Sequence, residues 1–261
     1  MWMYPLAIAC GNAFILKPSE KDPSCANKLA ELFTEAGLPN GVFNVIHGDK
    51  NIVDLILKSN DISSISFVGS TPIAKYIYEQ SSIYGKRVQA LGGAKNHLVV
   101  MPDADLNQAV DGIIGAGYGS AGERCMAVSV AVAVGDIADE LVEKIHFESQ
   151  KLKVAPWTDS ESDMGPVISK EHKNKIENYI AIGLEEGAKL IEDGRNFNIQ
   201  GYENGYFVGP TLFDYVTRDM KIYKEEIFGP VVSVVRAKNY DEALSLVNSH
   251  QYGNGTSIYT S

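Results

Sequence analysis

Apolar and polar positions alternate in blocks along residues 1–90. Ala13-Phe14-Ile15-Leu16 is a short apolar run that ends at Lys17-Pro18-Ser19-Glu20, and it reads as a strand. Leu29, Leu32, Phe33 and Ala36 then share one helical face, with Gly37 as the stop. Residues 42–46 predict a second strand ending at Gly48, and Ile52, Val53, Leu55, Ile56 and Leu57 the next helix. Residues 62–68 predict a third strand, closed by Gly69-Ser70-Thr71-Pro72, and Ala74, Ile77 and Tyr78 mark another helix. Such alternation predicts a parallel sheet with crossover helices, in which ligands bind beyond the C-terminal strand ends. Lys17, Gly48 and Ser70 all fall at those ends.

Residues 86–93, Lys-Arg-Val-Gln-Ala-Leu-Gly-Gly, read as a hinge that separates a first unit, 1–90, from a second, 91–261. The second begins with the apolar run 98–101 and a helix through Leu106, Val110 and Ile113. A strand at 127–134 and a helix at 136–150 follow, then a polar segment near 156–166 and a helix over 170–187. Strands near 207–214 and 231–236 and a helix over 240–249 complete the pattern.

Composition narrows the partners. The 261 residues are 45% hydrophobic and 21% charged, which is ordinary for a globular protein. A net charge of −10 argues against nucleic acid and anionic membranes as main partners. It leaves room for an anionic small molecule at a local cationic site. Cys10, Cys25 and Cys125 make no even framework and no CxxC pair, which points to a reducing, cytoplasmic compartment. No run approaches the ~18 apolar residues of a membrane span. The apolar start, Met1 to Cys10, lacks a basic region, so it reads as a core element rather than a signal peptide.

The chemistry centres on Cys125. It ends a small-residue stretch, Gly119-Ser120-Ala121-Gly122-Glu123-Arg124-Cys125, just before a strand. A nucleophilic thiol wants partial exposure and positive potential, and Arg124 stands beside it; read alone, a cysteine beside an arginine is more simply a structural thiol. Cys10 and Cys25 read as buried or incidental thiols. Gly69-Ser70-Thr71-Pro72 leads from a strand into a helix whose free N–H groups suit a phosphate; read alone, it is more simply a capped turn. No GxGxxG is present. Lys17 and Glu20 could hold a ribose, where a carboxylate would disfavour a 2′-phosphate and favour NAD over NADP; read alone, they are more simply a solvated surface pair. His47, His97 and His250 have no paired ligand spacing, so no metal is assigned.

Taken in order, Lys17-Pro18-Ser19-Glu20, Phe67-Val68-Gly69-Ser70-Thr71, Leu91-Gly92-Gly93, Gly122-Glu123-Arg124-Cys125 and Glu225-Glu226-Ile227-Phe228-Gly229-Pro230 resemble the aldehyde dehydrogenase superfamily over essentially the whole chain. Residues 89–97 and 119–126 narrow the resemblance to its CoA-acylating, methylmalonate-semialdehyde branch. The fold implied is α/β, a parallel-sheet aldehyde dehydrogenase-like fold that is incomplete at both ends. Residues 1–90 would be part of an NAD-binding Rossmann-like domain and 91–261 part of the thiol-bearing catalytic domain.

The resemblance also implies roles. Cys125 would be the nucleophile and carry a thioester after hydride transfer to NAD. Lys17 and Glu20 would hold the adenosine ribose with Lys21 nearby, and Ser70 would contact the pyrophosphate. Glu226 would orient the nicotinamide ribose, and Phe228 would line that pocket; without the motif, Glu226 reads as a solvated acid. Hydrolytic members carry a glutamate where Ala90 stands, and a positioned base is worth ~10²–10⁴ in rate. Alanine therefore favours release to CoA, giving propionyl-CoA or acetyl-CoA, unless another base such as Glu123 serves. Arg124 would pair with the carboxylate of methylmalonate or malonate semialdehyde, or else activate Cys125 or form a structural ion pair. A homo-oligomer is implied for the full-length family, cytoplasmic or mitochondrial.

Family members are roughly twice as long, by that resemblance. The part that supplies an asparagine donor to the oxyanion hole would precede this chain, and the oligomerisation strand would follow it. Loss of one such donor is worth ~10²–10³ in rate. A non-catalytic fragment or remnant that binds nucleotide or pairs with other chains is therefore the competing expectation, and a hydrolytic aldehyde dehydrogenase the third.

Overall fold

A computed structural model describes residues 2–261 and divides into two compact units, Met1–Gly92 and Gly93–Ser261. The first holds α1 (Tyr4–Ala9), β1 (Phe14–Leu16), α2 (Ser24–Glu35), β2 (Phe43–Val45), α3 (Lys50–Lys58), β3 (Ser64–Val68), α4 (Thr71–Ile83) and β4 (Arg87–Leu91). Two separate parallel pairs form, β1 with β2 and β3 with β4.

The apolar pattern sets what each pair buries. Tyr4 packs against Phe14, Phe33 and Phe43 with ring centroids 4.7 to 5.9 Å apart, which ties α1 and α2 to the first pair. Leu57, Ile65 and Ile77 form a second small cluster under α3, β3 and α4. The apolar start is not a core element as a whole: Tyr4 is buried, but Trp2 and Leu6 are exposed. Asp49 caps α3 by accepting the Asn51 N–H. Ser70 stands at the N-cap of α4 with no capping bond from its hydroxyl.

The segment 86–93, expected as a hinge, is a strand over most of its length, and the boundary between the two units falls at its end, between Gly92 and Gly93. Arg87–Leu91 is β4, in register with β3 from Ser64↔Arg87 to Val68↔Leu91. Val88 and Ala90 pack on the Leu57 cluster. Five residues ahead of two glycines carry too little pattern to show that tertiary contact.

The second unit holds β5 (Asn96–Val100), α5 (Leu106–Gly117), β6 (Val128–Val134), α6 (Ala138–Ser149), α7 (Lys170–Glu185), β7 (Lys189–Glu192), β8 (Thr211–Asp214), α8 (Lys221–Lys224), β9 (Val231–Ala237), α9 (Tyr240–Ser249) and β10 (Thr256–Tyr259). Its sheet runs β10-β5-β6-β9-β8-β7. Every pair is parallel except β7 with β8. β5, β6 and β9 are buried along nearly their whole length, as expected of parallel strands covered on both faces. Their continuous Val and Ala runs supply that core with Ile113, Leu141, Ile145, Ile176 and Ile180 from the helices. Asp105, Ser169 and Asn239 cap α5, α7 and α9.

Candidate active site

Cys125 sits where α5 hands over to β6. Between them, Ser120, Ala121 and Gly122 all adopt left-handed backbone, with φ of 53°, 53° and 68°. Only glycine does this without cost, so the run is held by its surroundings. Gly122 has a second reason to be glycine: a Cβ there would lie 2.1 Å from the Gly229 carbonyl oxygen. Tyr118, buried at the end of α5, donates to the Thr211 carbonyl at 3.1 Å and fixes the near side of the turn.

The far side is fixed by amides. Asn96 Nδ2 donates to the Cys125 and Ala127 carbonyls, and Asn254 Nδ2 also donates to the Cys125 carbonyl, each at 2.8 Å. Asn96 Oδ1 accepts the Gly255 N–H at 2.9 Å. The backbone of Cys125 is thus gripped while its thiol is exposed. Arg124 is also exposed and folds back along the turn, with Nε donating to Ser120 Oγ at 3.0 Å. Cys10 and Cys25, expected as buried or incidental, are exposed as well.

A recess beside Cys125 brings together Arg124, Asn96, Lys95, Glu226 and Phe228. Glu226 is not a solvated acid, because it is half-buried and its Oε1 accepts the Ala94 N–H at 3.0 Å. Phe228 holds φ at 62°, another left-handed non-glycine. The next residue along from Ala94 makes the reciprocal bond: Lys95 Nζ donates to the Glu225 carbonyl at 2.9 Å. Tyr179 donates to the Glu225 carboxylate.

In the first unit, Lys17 Nζ donates to the Gly48 carbonyl at 2.8 Å and to the Pro18 carbonyl, joining the C-terminal ends of β1 and β2. Glu20 Oε2 lies 3.5 Å from Lys17 Nζ. A backbone N–H, with Lys17 adding its charge, holds the Glu20 carboxyl below its ordinary range. Lys21 is exposed, and its amide donates to Ser19 Oγ. Ser70 is exposed on the other strand pair and is not joined to the Lys17 group by a hydrogen bond.

Sequence reasoning did not single out Lys95, Asn96, Asn254 or His172. Lys95 is buried, and burial pushes its ammonium down to about 7, partly offset by Glu226 and Glu225. His97 is buried too and pushed down to about 4, with Nδ1 on the Lys95 carbonyl and Nε2 on the Tyr223 hydroxyl. Burial raises Glu123 to about 6, and its carboxylate is engaged by the Ile168 N–H and by His172. Among the described residues no group of His, Cys, Asp and Glu could hold a metal. No helix there is long and apolar enough to cross a membrane.

Lys95 gives a sign that can be measured. Its folded value is about 7 against 10.5 ordinarily, so between those pH values the unfolded chain binds a proton that the folded chain does not. Stability should rise across that window on the order of a few kcal/mol and be lost below it. Urea unfolding of Lys95→Met should lack this rise. Parallel pH profiles for the two proteins would show that Lys95 is solvated.

The sequence model of the aldehyde dehydrogenase family matches residues 1–261. The malonate-semialdehyde dehydrogenase of Pseudomonas aeruginosa is 58% identical over 261 residues, covering 100% of this chain and 52% of its own length. A Sinorhizobium meliloti protein assigned as a methylmalonate-semialdehyde dehydrogenase, solved in complex with NAD, superposes with a TM-score of 0.96 at 61% identity, covering 99% of this chain and 53% of that one. The methylmalonate-semialdehyde dehydrogenase of Oceanimonas doudoroffii does so with a TM-score of 0.96 at 56% identity, covering 100% and 54%. The chain spans about half the length of the curated relatives it matches.

Proposed function

Since the chain belongs to the aldehyde dehydrogenase family, we propose that it carries the thiol chemistry of an NAD-dependent, CoA-acylating oxidation of methylmalonate or malonate semialdehyde. The observation that supports it is the exposed Cys125 thiol on a clamped backbone, sharing a recess with Glu226 and Phe228. Cys125 attacks the aldehyde carbon, and a thiohemiacetal forms on its sulfur. NAD, when bound, accepts the hydride that leaves this carbon. A thioester on Cys125 remains, and a CoA thiol displaces it with Cys125 as the leaving group. The substrate carboxylate leaves as CO₂, its bonding pair passes into the thioester carbonyl as an enolate, and a proton from water replaces it, giving propionyl-CoA or acetyl-CoA.

The residues present suit the cofactor. The Ser70 hydroxyl caps nothing and can donate to a phosphate at the start of α4. Lys17 and Glu20 are already paired where a ribose would be held, with exposed Lys21 nearby, and the Glu20 charge favours NAD over NADP. Glu226 commits one oxygen to Ala94 and keeps the other for a ribose hydroxyl, beside Phe228. The residue range 1–90 would serve the nucleotide and 91–261 the thiol. Ala90 offers no base, and Glu123 is engaged by Ile168 and His172. Exposed Arg124 would take the substrate carboxylate.

Product analysis tests the acceptor and the substrate together in a complete enzyme with these residues. Acyl-CoA should form with CoA present, and free acid should form at least ~10²-fold more slowly without it. Arg124→Leu should impair a semialdehyde bearing a carboxylate far more than propanal. Fast free-acid formation without CoA would refute the acylating reading. A second reading, a non-catalytic member that binds nucleotide or pairs with other chains, draws on exposed Ile15, Leu55, Val68 and Ile73 in the first unit.

A further inference from the structure

Two strained turns meet at the recess. Residues 119–123 hold three consecutive left-handed residues, and residues 225–229 hold Phe228 at φ 62°. Their backbones touch where Gly122 faces the Gly229 carbonyl. Left-handed non-glycine residues persist only where neighbours over-determine them. One side chain from a third element reaches both turns, with a hydrogen bond to one and a close polar approach to the other. His172, in the first turn of α7, has Nε2 at 2.6 Å from the Phe228 carbonyl oxygen and 3.3 Å from Glu123 Oε1. Both partners are acceptors at neutral pH, so Nε2 carries the proton. Each of the two side chains is only 15% exposed, which keeps water from replacing either contact. Glu123 Oε1 also accepts the Ile168 N–H at 3.3 Å, from the segment that leads into α7.

We propose that His172 is a positioning residue that holds the Cys125 turn and the Phe228 turn in one register, through its hydrogen bond to the Phe228 carbonyl and its 3.3 Å approach to the Glu123 carboxylate. This rests on the reading of Cys125 as the reacting thiol and of Phe228 as a wall of the nicotinamide pocket. The distance between thiol and hydride acceptor must be kept to within a fraction of an ångström for transfer. A bridge between the two turns that carry them sets that distance without touching the substrate.

The test uses the full chain with Cys10→Ser and Cys25→Ser, so that only Cys125 reacts with iodoacetamide. Hydrogen–deuterium exchange is followed at 120–125 and 227–229 alongside the alkylation rate. His172→Ala should speed exchange at both turns about tenfold, the scale of one buried hydrogen bond, and change the alkylation rate at least about threefold. His172→Gln, whose side-chain N–H can meet the same carbonyl, should return both to within about twofold of the parent. Glu123→Ala should speed exchange at 227–229, with which Glu123 shares no hydrogen bond. Faster exchange at one turn only, or His172→Gln behaving as His172→Ala, would overturn the proposal. If His172→Ala does not fold, Glu123→Ala decides, and unchanged exchange at 227–229 is then the overturning result. Alkylation reads the turn whether or not Cys125 is catalytic. Failure of the nucleophile reading would appear separately, as aldehyde oxidation surviving Cys125→Ser.

Discussion

Cys125→Ser should lower aldehyde oxidation at least ~10³-fold in the complete enzyme, while Cys10→Ser and Cys25→Ser should stay within about twofold. All three thiols are exposed, so accessibility does not separate them. What separates them is the setting. Cys10 follows the short helix α1, and Cys25 lies in the first turn of α2. The Cys10 carbonyl accepts one long bond from its near neighbour Asn12, at 3.4 Å, whereas two amides distant in sequence hold the Cys125 carbonyl at 2.8 Å. Serine keeps the size and the turn but replaces the sulfur nucleophile with a far less nucleophilic hydroxyl, so the carbon–sulfur bond never forms. The readout is NADH formation from a semialdehyde, with urea unfolding to show that the fold is kept. Activity within tenfold of the parent for Cys125→Ser would remove this residue from the chemistry.

The fold was legible where the pattern was long. Val and Ala runs in β6 and β9, and the helical faces of α5 and α9, are read directly from spacing. β4, β7 and β10 were not, because four or five residues with mixed polarity become strands only through a partner: β4 through β3, β7 through β8, β10 through β5. The strand expected near 207 begins at Thr211, since residues 207–210 are buried but unpaired in any ladder.

The candidate site was legible as motifs, and its support was not. Cys125, Arg124, Glu226 and Phe228 lie in recognisable strings and meet at one recess. Asn96, Asn254 and His172 hold those strings from 29, 129 and 56 residues away, separations at which spacing carries no signal. Lys95 was not singled out in the sequence, and the packing of residues 94 and 95 against 225 and 226 is what buries it. Glu123 was a candidate base by its place in the sequence; its carboxylate accepts the Ile168 N–H and lies 3.3 Å from His172 Nε2.

Gly122→Ala should be among the most damaging single changes in the second unit, because two independent costs coincide there. The first is conformational: φ is 68°, and a left-handed residue with a Cβ costs roughly 1–2 kcal/mol. The second is contact: the added carbon would sit 2.1 Å from the Gly229 carbonyl oxygen and 3.1 Å from the Gly117 carbonyl oxygen. Both are backbone atoms, so relief requires the Phe228 turn to move away from the Cys125 turn. A combined loss of about 3–5 kcal/mol follows, with loss of aldehyde oxidation even in the fraction that stays folded. Gly187→Ala separates the two costs. Gly187 has φ of 90° but nothing within 4 Å of an added Cβ, so it carries the conformational cost alone, about 1–2 kcal/mol. Urea unfolding of both variants reads the difference. Equal losses would mean that the close approach of Gly122 to Gly229 contributes nothing, and that the two turns are not held in contact as described.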